Sequence, residues 1–234
     1  MKPHQKLAET KTPAGMSLAL YEHDGVYTIR LGGLALMDSS VNSSETLLGE
    51  VACRKLSGQG NTRILVGGLG LGFTLKSVLQ RVGSKASVHV AELMPEVVAW
   101  NREFLSGLNG ELLNDPRVKI AVEDVSDVIL RAVPGRYDAI LLDVDNGPIA
   151  MVHRRNAFLY SQDGIQRFST ALKEGGRVAI WSAGEDRAFS ERLAKAGLKV
   201  ETVRAKLYPN AKRFAATIYV ADKVPEIAGV KVRK

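Results

Sequence analysis

A single cysteine, Cys53, stands in the 234 residues. One thiol can close no internal disulfide and build no cysteine metal cluster, which fits a reducing, cytoplasmic setting. Its apolar-periodic surroundings predict a buried structural thiol rather than a nucleophile. No apolar run approaches the ~20 residues of a membrane span. Residues 1–19 hold no continuous apolar stretch of the kind a secretory signal needs. Internal repeats and low-complexity linkers are also missing. Hydrophobic residues at 45% and charged residues at 24% exclude a disordered chain. Acidic residues are in the minority, 25 against 32 Lys and Arg, for a net charge of +7. That excess steers anions towards the protein. The basic residues are spread out, with local clusters only at His153-Arg154-Arg155 and at the tail Lys231-Val232-Arg233-Lys234. Without a recognisable RNA-binding module, nucleic acid is not the expected partner.

The length suits one domain, with or without a small appendage. Residues 1–14 are polar and read as a flexible lead-in. Residues 15–60 read as a small hairpin-and-helix region, with β-like runs at 17–21, 26–31 and 34–37 and Asp24-Gly25 in the first turn. Helical spacing of Leu47, Leu48, Val51 and Leu56 predicts a helix over 43–56. From 61 to 222 strands and helices alternate. Strands are expected at 63–66, 87–91, 118–122, 139–143, 177–182, 199–205 and 213–220. Helices are expected at 74–81, 95–105, 125–132, 161–172 and 185–196. This alternation predicts an α/β, Rossmann-like, doubly wound and mostly parallel sheet with an antiparallel C-terminal edge. Residues 223–234 form a basic tail.

Ligands of such sheets bind beyond the carboxyl ends of the strands. Four strand ends here carry suitable chemistry. The run Gly67-Gly68-Leu69-Gly70-Leu71-Gly72 joins a strand to a helix, where glycines let a ligand approach the backbone and the helix offers free N–H groups. A tight turn is the plain alternative. Glu92, followed by Leu93, ends the next strand, where an acid accepts hydrogen bonds from two ribose hydroxyls; a solvated surface Glu is the alternative. Glu123-Asp124 ends the third, where a carboxylate can accept from an adenine amino group, or cap the next helix, or both. Asp143-Val144-Asp145 ends a strand buried on both faces, where a base or an ammonium-binding group would sit; an Asx-turn is the alternative. The third and fourth motifs, and the lack of a 2′-phosphate reader, favour an S-adenosylmethionine-type ligand over a nicotinamide dinucleotide. Cofactor candidates are thus Gly67, Gly68, Gly70, Gly72, Glu92, Leu93, Glu123, Asp124 and Asp143. Asp143 and Asp145 are the candidate catalytic pair, with Tyr160 and His153 behind them. Trp181 and Tyr208 could line an acceptor pocket or simply pack.

These residues resemble the spermidine synthase (polyamine aminopropyltransferase) family, a branch of the class I methyltransferase fold. The likeness runs from about residue 17 to 222. It rests on Asp24-Gly25, Ser44-Glu45 through Glu50, the glycine turn, Glu92, Asp124, Tyr137-Asp138-Ala139-Ile140-Leu141-Leu142-Asp143, Gly147-Pro148, Phe158-Leu159-Tyr160 and Leu172-Lys173-Glu174-Gly175-Gly176. The resemblance implies that Glu92 holds the ribose, Asp124 the adenine, and Asp143 the amino group or the reacting region. It also implies a homodimer, against which the short N-terminal region argues. Departures from the family pattern are specific. Gly70 stands where the family has an aspartate suited to a decarboxylated cofactor, and that aspartate would repel the carboxylate of S-adenosylmethionine. Leu48-Gly49 replaces a Tyr-His pair, and Ser39 falls near a family glutamine. Two classes of function follow. One is an enzyme using S-adenosylmethionine or its decarboxylated form, moving a methyl group to a small acceptor that the positive charge allows to be anionic, or an aminopropyl group to a polyamine. The other is a non-catalytic binder that keeps the nucleotide.

Overall fold

The computed structural model describes residues 4–56, 59–144, 156–206, 208 and 210–225. Four strands, β1 (Gln5–Lys11), β2 (Ser17–His23), β3 (Val26–Leu31) and β4 (Leu34–Asp38), form an antiparallel sheet in chain order. Asp24 and Gly25 both take positive φ in the two-residue β2–β3 turn, which is what an Asp-Gly hairpin requires. Strand β1 corrects the expectation of a flexible lead-in. Its side chains show no strong apolar alternation, so the sequence carries little strand signal. What orders it is pairing with β2, from Gln5 opposite Glu22 to Lys11 opposite Ser17.

The rest of the chain continues as α1 (Ser43–Cys53), β5 (Arg63–Gly67), α2 (Phe73–Leu79), β6 (Ser87–Glu92), α3 (Pro95–Glu103), α4 (Ser106–Asn109), β7 (Val118–Val122), α5 (Val125–Arg131), β8 (Tyr137–Leu142), α6 (Asn156–Leu159), α7 (Gln162–Ala171), β9 (Leu172–Ser182), α8 (Arg187–Lys195), β10 (Leu198–Ala205) and β11 (Ala216–Lys223). The seven strands β5 to β11 make one sheet in the order β10-β11-β9-β8-β5-β6-β7. All neighbours are parallel except at β11, which is antiparallel to both β9 and β10. The last two strands pair antiparallel, as their short connection requires. The final strand inserts between β9 and β10, so β10 lies at the edge and runs with the parallel body. Strand order reverses between β5 and β8, the switch point at which open α/β sheets take ligands.

The core alternates across the sheet. Ile64, Val66, Val88, Val90, Ala139 and Leu141 face one side, while Leu65, Ala91, Ile140, Leu142, Val178 and Ile180 face the other. The first side also takes Leu18, Leu20, Ile29 and Leu31 of the small sheet and Leu48 and Val51 of α1. The N-terminal sheet therefore shares a core with the cofactor-loop side of the large one. A buried ion pair ties the layers together: Arg177 of β9 donates to Asp222 of β11 at 2.7 Å and to the carbonyl of Val51 at 2.6 Å.

Candidate active site

A cleft opens at the switch point, where open α/β sheets take small ligands. Gly68, Gly70, Glu92, Leu93, Asp124 and Asp143 line it. Thus residues from four separate strand ends, named on sequence grounds, meet in one place. The parallel register does this: β5, β6, β7 and β8 end at the same level, with Gly67 opposite both Ala91 and Leu142.

The glycine loop is shaped by close approach. Gly68 has φ +85°, and a Cβ there would lie 2.3 Å from the carbonyl oxygen of Asp143. Any side chain would push β5 and β8 apart. At Gly70, φ +51°, a Cβ would lie 2.5 Å from Sδ of Met37. The space that an aspartate side chain would need is filled by a thioether from β4. Two amides on neighbouring helices hold the loop: Asn101 Nδ2 donates to the carbonyl of Gly70 at 2.8 Å, and Asn109 Nδ2 donates to that of Leu71. Gly72 caps α2, and Gly67 packs against Val125 behind the cleft.

Each acid has its own surroundings. Glu92 is buried, and its two oxygens accept the backbone N–H groups of Leu69 at 2.8 Å and Met94 at 2.9 Å. Burial pushes its pKa up, while these backbone bonds pull the other way. Asp124 is buried too; it caps α5 by accepting the N–H of Ser126 at 2.8 Å while bordering the cleft. Both of its expected roles are therefore compatible. Asp143 accepts the Thr74 hydroxyl at 2.6 Å. Burial first, and then the charge of Glu45, lift its pKa to about 7, with the Thr74 bond opposing. Glu45, in the first turn of α1, is itself raised by burial and accepts the Ser44 hydroxyl at 2.6 Å. Thr74 Oγ1 lies 3.5 Å from the carbonyl oxygen of Glu45, so α1, α2 and the end of β8 converge on this carboxyl pair.

Four sequence candidates, Glu123, Tyr160, Trp181 and Tyr208, do not line the cleft. Glu123 turns outward into an ion pair with Arg131 on α5; alternation along the strand end sends it to the opposite side from Asp124. Tyr160 is buried in the core beyond, edge-on to Phe189 at 5.3 Å. It does not line the cleft. Trp181 packs against the first core, and Tyr208 is half exposed away from the cleft. Cys53 is buried, and burial pushes its thiol up to about 12, so it is inert. The replaced family pair is accounted for: Leu48 is core, and Gly49 lets α1 approach α2, since a Cβ there would meet Ser77 Oγ at 2.5 Å. Ser39 closes β3 onto β4 by accepting the N–H of Tyr27. Asp145 and His153 lie outside the described residues.

Sequence reasoning missed Leu18, Ile29, Leu36 and Met37, which supply the far wall of the cleft. It also missed the pairing of Glu45 with Asp143. Spacing of Leu18 with Leu20 and of Ile29 with Leu31 signalled burial of those two positions, but nothing local named what they or Leu36 and Met37 would cover.

No family model matches the chain. Over 124 residues it is 32% identical to a putrescine N-methyltransferase of Nicotiana tabacum, a stretch that is 51% of this chain and 31% of that protein. Over 123 residues it is 28% identical to a polyamine aminopropyltransferase of Mycobacterium tuberculosis, or 52% of this chain and 23% of that protein. The match thus spans less than a third of the length of these curated relatives. Among solved structures, a spermidine synthase in complex with the transition-state analogue AdoDATO superposes with a TM-score of 0.76 at 18% identity, covering 94% of this chain and 74% of the other. The spermidine synthase of Thermotoga maritima gives 0.73 at 17%, covering 94% and 73%. With a parallel-bodied seven-stranded sheet, a four-stranded antiparallel sheet over its switch point and these neighbours, the chain has a spermidine synthase-like, Rossmann-like α/β fold.

Proposed function

We propose that this chain is a transferase that takes a sulfonium nucleoside of the S-adenosylmethionine type in the switch-point cleft and moves its methyl group to a small acceptor. The observation that carries the choice of methyl is Gly70. No acid stands at that turn, and Met37 fills the space one would occupy, so nothing there opposes a cofactor carboxylate. Proteins named as methyltransferase and as aminopropyltransferase are both among the relatives, so the scaffold alone does not choose.

The residues fit such a cofactor. Backbone N–H groups of Leu69 and Met94 fix the Glu92 carboxylate at the wall of the cleft, the place for ribose hydroxyls. Asp124 stands at the rim beside the apolar surfaces of Leu93, Met94 and Val125, an arrangement suited to a flat base with one amino edge. The bound group supplies an activated carbon whose leaving sulfur departs as a neutral thioether. Asp143 holds the acceptor beside that carbon and takes its proton, Thr74 orients the carboxylate, and Asp145 is a second orienting candidate. A base with a pKa near 7 is matched to work at neutral pH.

Aminopropyl transfer to an amine is the second reading. The carboxyl pair of Glu45 and Asp143 favours it, because an acid at the cleft with a second acid behind it suits an ammonium. The test is calorimetric binding of S-adenosylmethionine, its decarboxylated form and methylthioadenosine, side by side. Tighter binding of the carboxylate-bearing form is expected. A preference for the decarboxylated form would restore aminopropyl transfer, and binding of none would sink both. Should the cofactor bind with no turnover of any acceptor, and Asp143→Asn leave affinity unchanged, the chain is a non-catalytic binder.

A further inference from the structure

A second concave surface lies on the same edge of the large sheet. It is bordered by Glu185 after β9, by Arg204 near the end of β10, and by Lys212, Arg213 and Phe214 in the segment leading into β11. A neighbouring hollow is lined by Lys206 together with Arg204 and Phe214. Arg204 and Lys206 both stand over the Phe214 ring, at 5.9 Å from its centre, so the exposed phenyl collects cations rather than apolar neighbours. Of the bordering acids, Glu185 is 3.9 Å from Arg204 and Glu50 is taken by Arg81. Among the described residues Lys206, Lys212 and Arg213 enter no ion pair. Two cations over one exposed ring, with Lys212 and Arg213 bordering the same hollow, make an anion-attracting groove.

Position links the groove to the cleft. Strand β10 runs parallel to β8 and β9, so its carboxyl end lies on the ligand-binding edge. Asp143 follows Leu142, which sits opposite Ile180 of β9; Trp181 beyond it pairs with Ile218, which pairs with Val203. Arg204 is therefore one residue beyond the level of Asp143, three strands away. At about 4.8 Å between strands, β11 is about 10 Å and β10 about 14 Å from β8. One edge thus carries an acidic pair at one end and a basic groove at the other.

We infer that the acceptor is a bipolar small molecule, with its reacting amine at Asp143 and Glu45 and a carboxylate or phosphate about 10–14 Å away in the groove of Arg204, Lys212, Arg213 and Phe214. The inference rests on the transferase reading above and names its substrate class. It also reconciles the excess positive charge with acids beside the cleft, since each end of the molecule meets its opposite.

The test uses the full chain, with S-adenosylmethionine affinity measured separately. Three probes are titrated: ω-aminooctanoate, diaminooctane of the same length, and inorganic pyrophosphate. They are compared in the wild type and in the exposed double variant Lys212→Gln/Arg213→Gln. The aminocarboxylate is expected to bind more tightly than the diamine. The double variant is expected to weaken the aminocarboxylate or pyrophosphate roughly tenfold while leaving cofactor affinity unchanged. Response to one anion and not the other assigns carboxylate or phosphate. Preference for the diamine, or no effect of the double variant, overturns the inference. So does pyrophosphate that competes with S-adenosylmethionine, which would place it in the cofactor cleft. A short oligonucleotide binding far more tightly than either anion, with a steep salt dependence, would reassign the groove to a polyelectrolyte. If pyrophosphate binds through Lys212 and Arg213 but S-adenosylmethionine does not bind, the transferase reading fails while the anion groove stands.

Discussion

Replacing Asp143 with asparagine separates chemistry from architecture at one position. The substitution is nearly isosteric, and the asparagine oxygen can still accept the Thr74 hydroxyl that now lies 2.6 Å away. The fold and the cleft are therefore preserved, and only the capacity to take a proton is lost. General-base catalysis contributes about a hundred- to ten-thousandfold, so kcat is expected to fall by that range with little change in cofactor affinity. The wild-type pH profile gives the same residue a second signature. With a pKa of about 7, the ionised fraction rises from about 0.1 at pH 6 to about 0.9 at pH 8, a tenfold gain in rate. Two variants should move that limb in opposite directions. Glu45→Gln removes a negative neighbour and should shift it to lower pH; Thr74→Val removes a bond to the charged form and should shift it to higher pH. Stability moves the other way from activity. The folded-state pKa of Asp143 is raised, so its ionisation opposes folding increasingly as pH rises from about 4 to about 7. Asp143→Asn should thus stabilise the protein by roughly 1–3 kcal/mol at pH 8 and by little near pH 4, read as melting temperature at the two pH values. A flat rate profile between pH 6 and 8, or an alkaline shift in Glu45→Gln, would refute the assignment.

Further substitutions test the walls and the frame. Glu92→Ala strands the N–H groups of Leu69 and Met94, and should cost roughly 2–4 kcal/mol in denaturant unfolding together with most of the S-adenosylmethionine affinity. Gly70→Asp meets Met37 and a left-handed backbone, so a loss of roughly 1–3 kcal/mol is expected. Met37→Ala in the same chain should recover part of it, and calorimetry should show the double variant turning towards the decarboxylated cofactor. Asp222→Ala leaves Arg177 buried without its partner and should destabilise by about 3–5 kcal/mol. Burial tends to raise Asp222, but the bonds from Arg177 and Lys55 outweigh it and hold its pKa low. Its contribution is therefore complete above the ordinary carboxylate range and lost as pH falls through the lowered pKa, which acid titration of the wild type against Asp222→Asn should show.

Local chemistry and pattern settled much of this protein before any tertiary contact was known. Strand–helix alternation from residue 61 onward carries its own period, and strand ends are marked by the glycines, by Glu92, by Asp124 and by Asp143. Parallel strands bring their carboxyl ends to one edge, so residues named at separate strand ends had to meet. Tertiary structure decided what sequence periodicity does not encode. Strand β1 is ordered by its partner rather than by its own side chains. Glu123 and Asp124 are adjacent, yet only the facing of the strand end sends one to Arg131 and the other to the cleft. Tyr160 ends a family-like motif, yet its ring is buried edge-on to Phe189. Met37 against Gly70, and Glu45 beside Asp143, join segments far apart in the chain; such pairs exist only once two sheets and a helix have packed, because their energies depend on distance and burial rather than on neighbours in sequence.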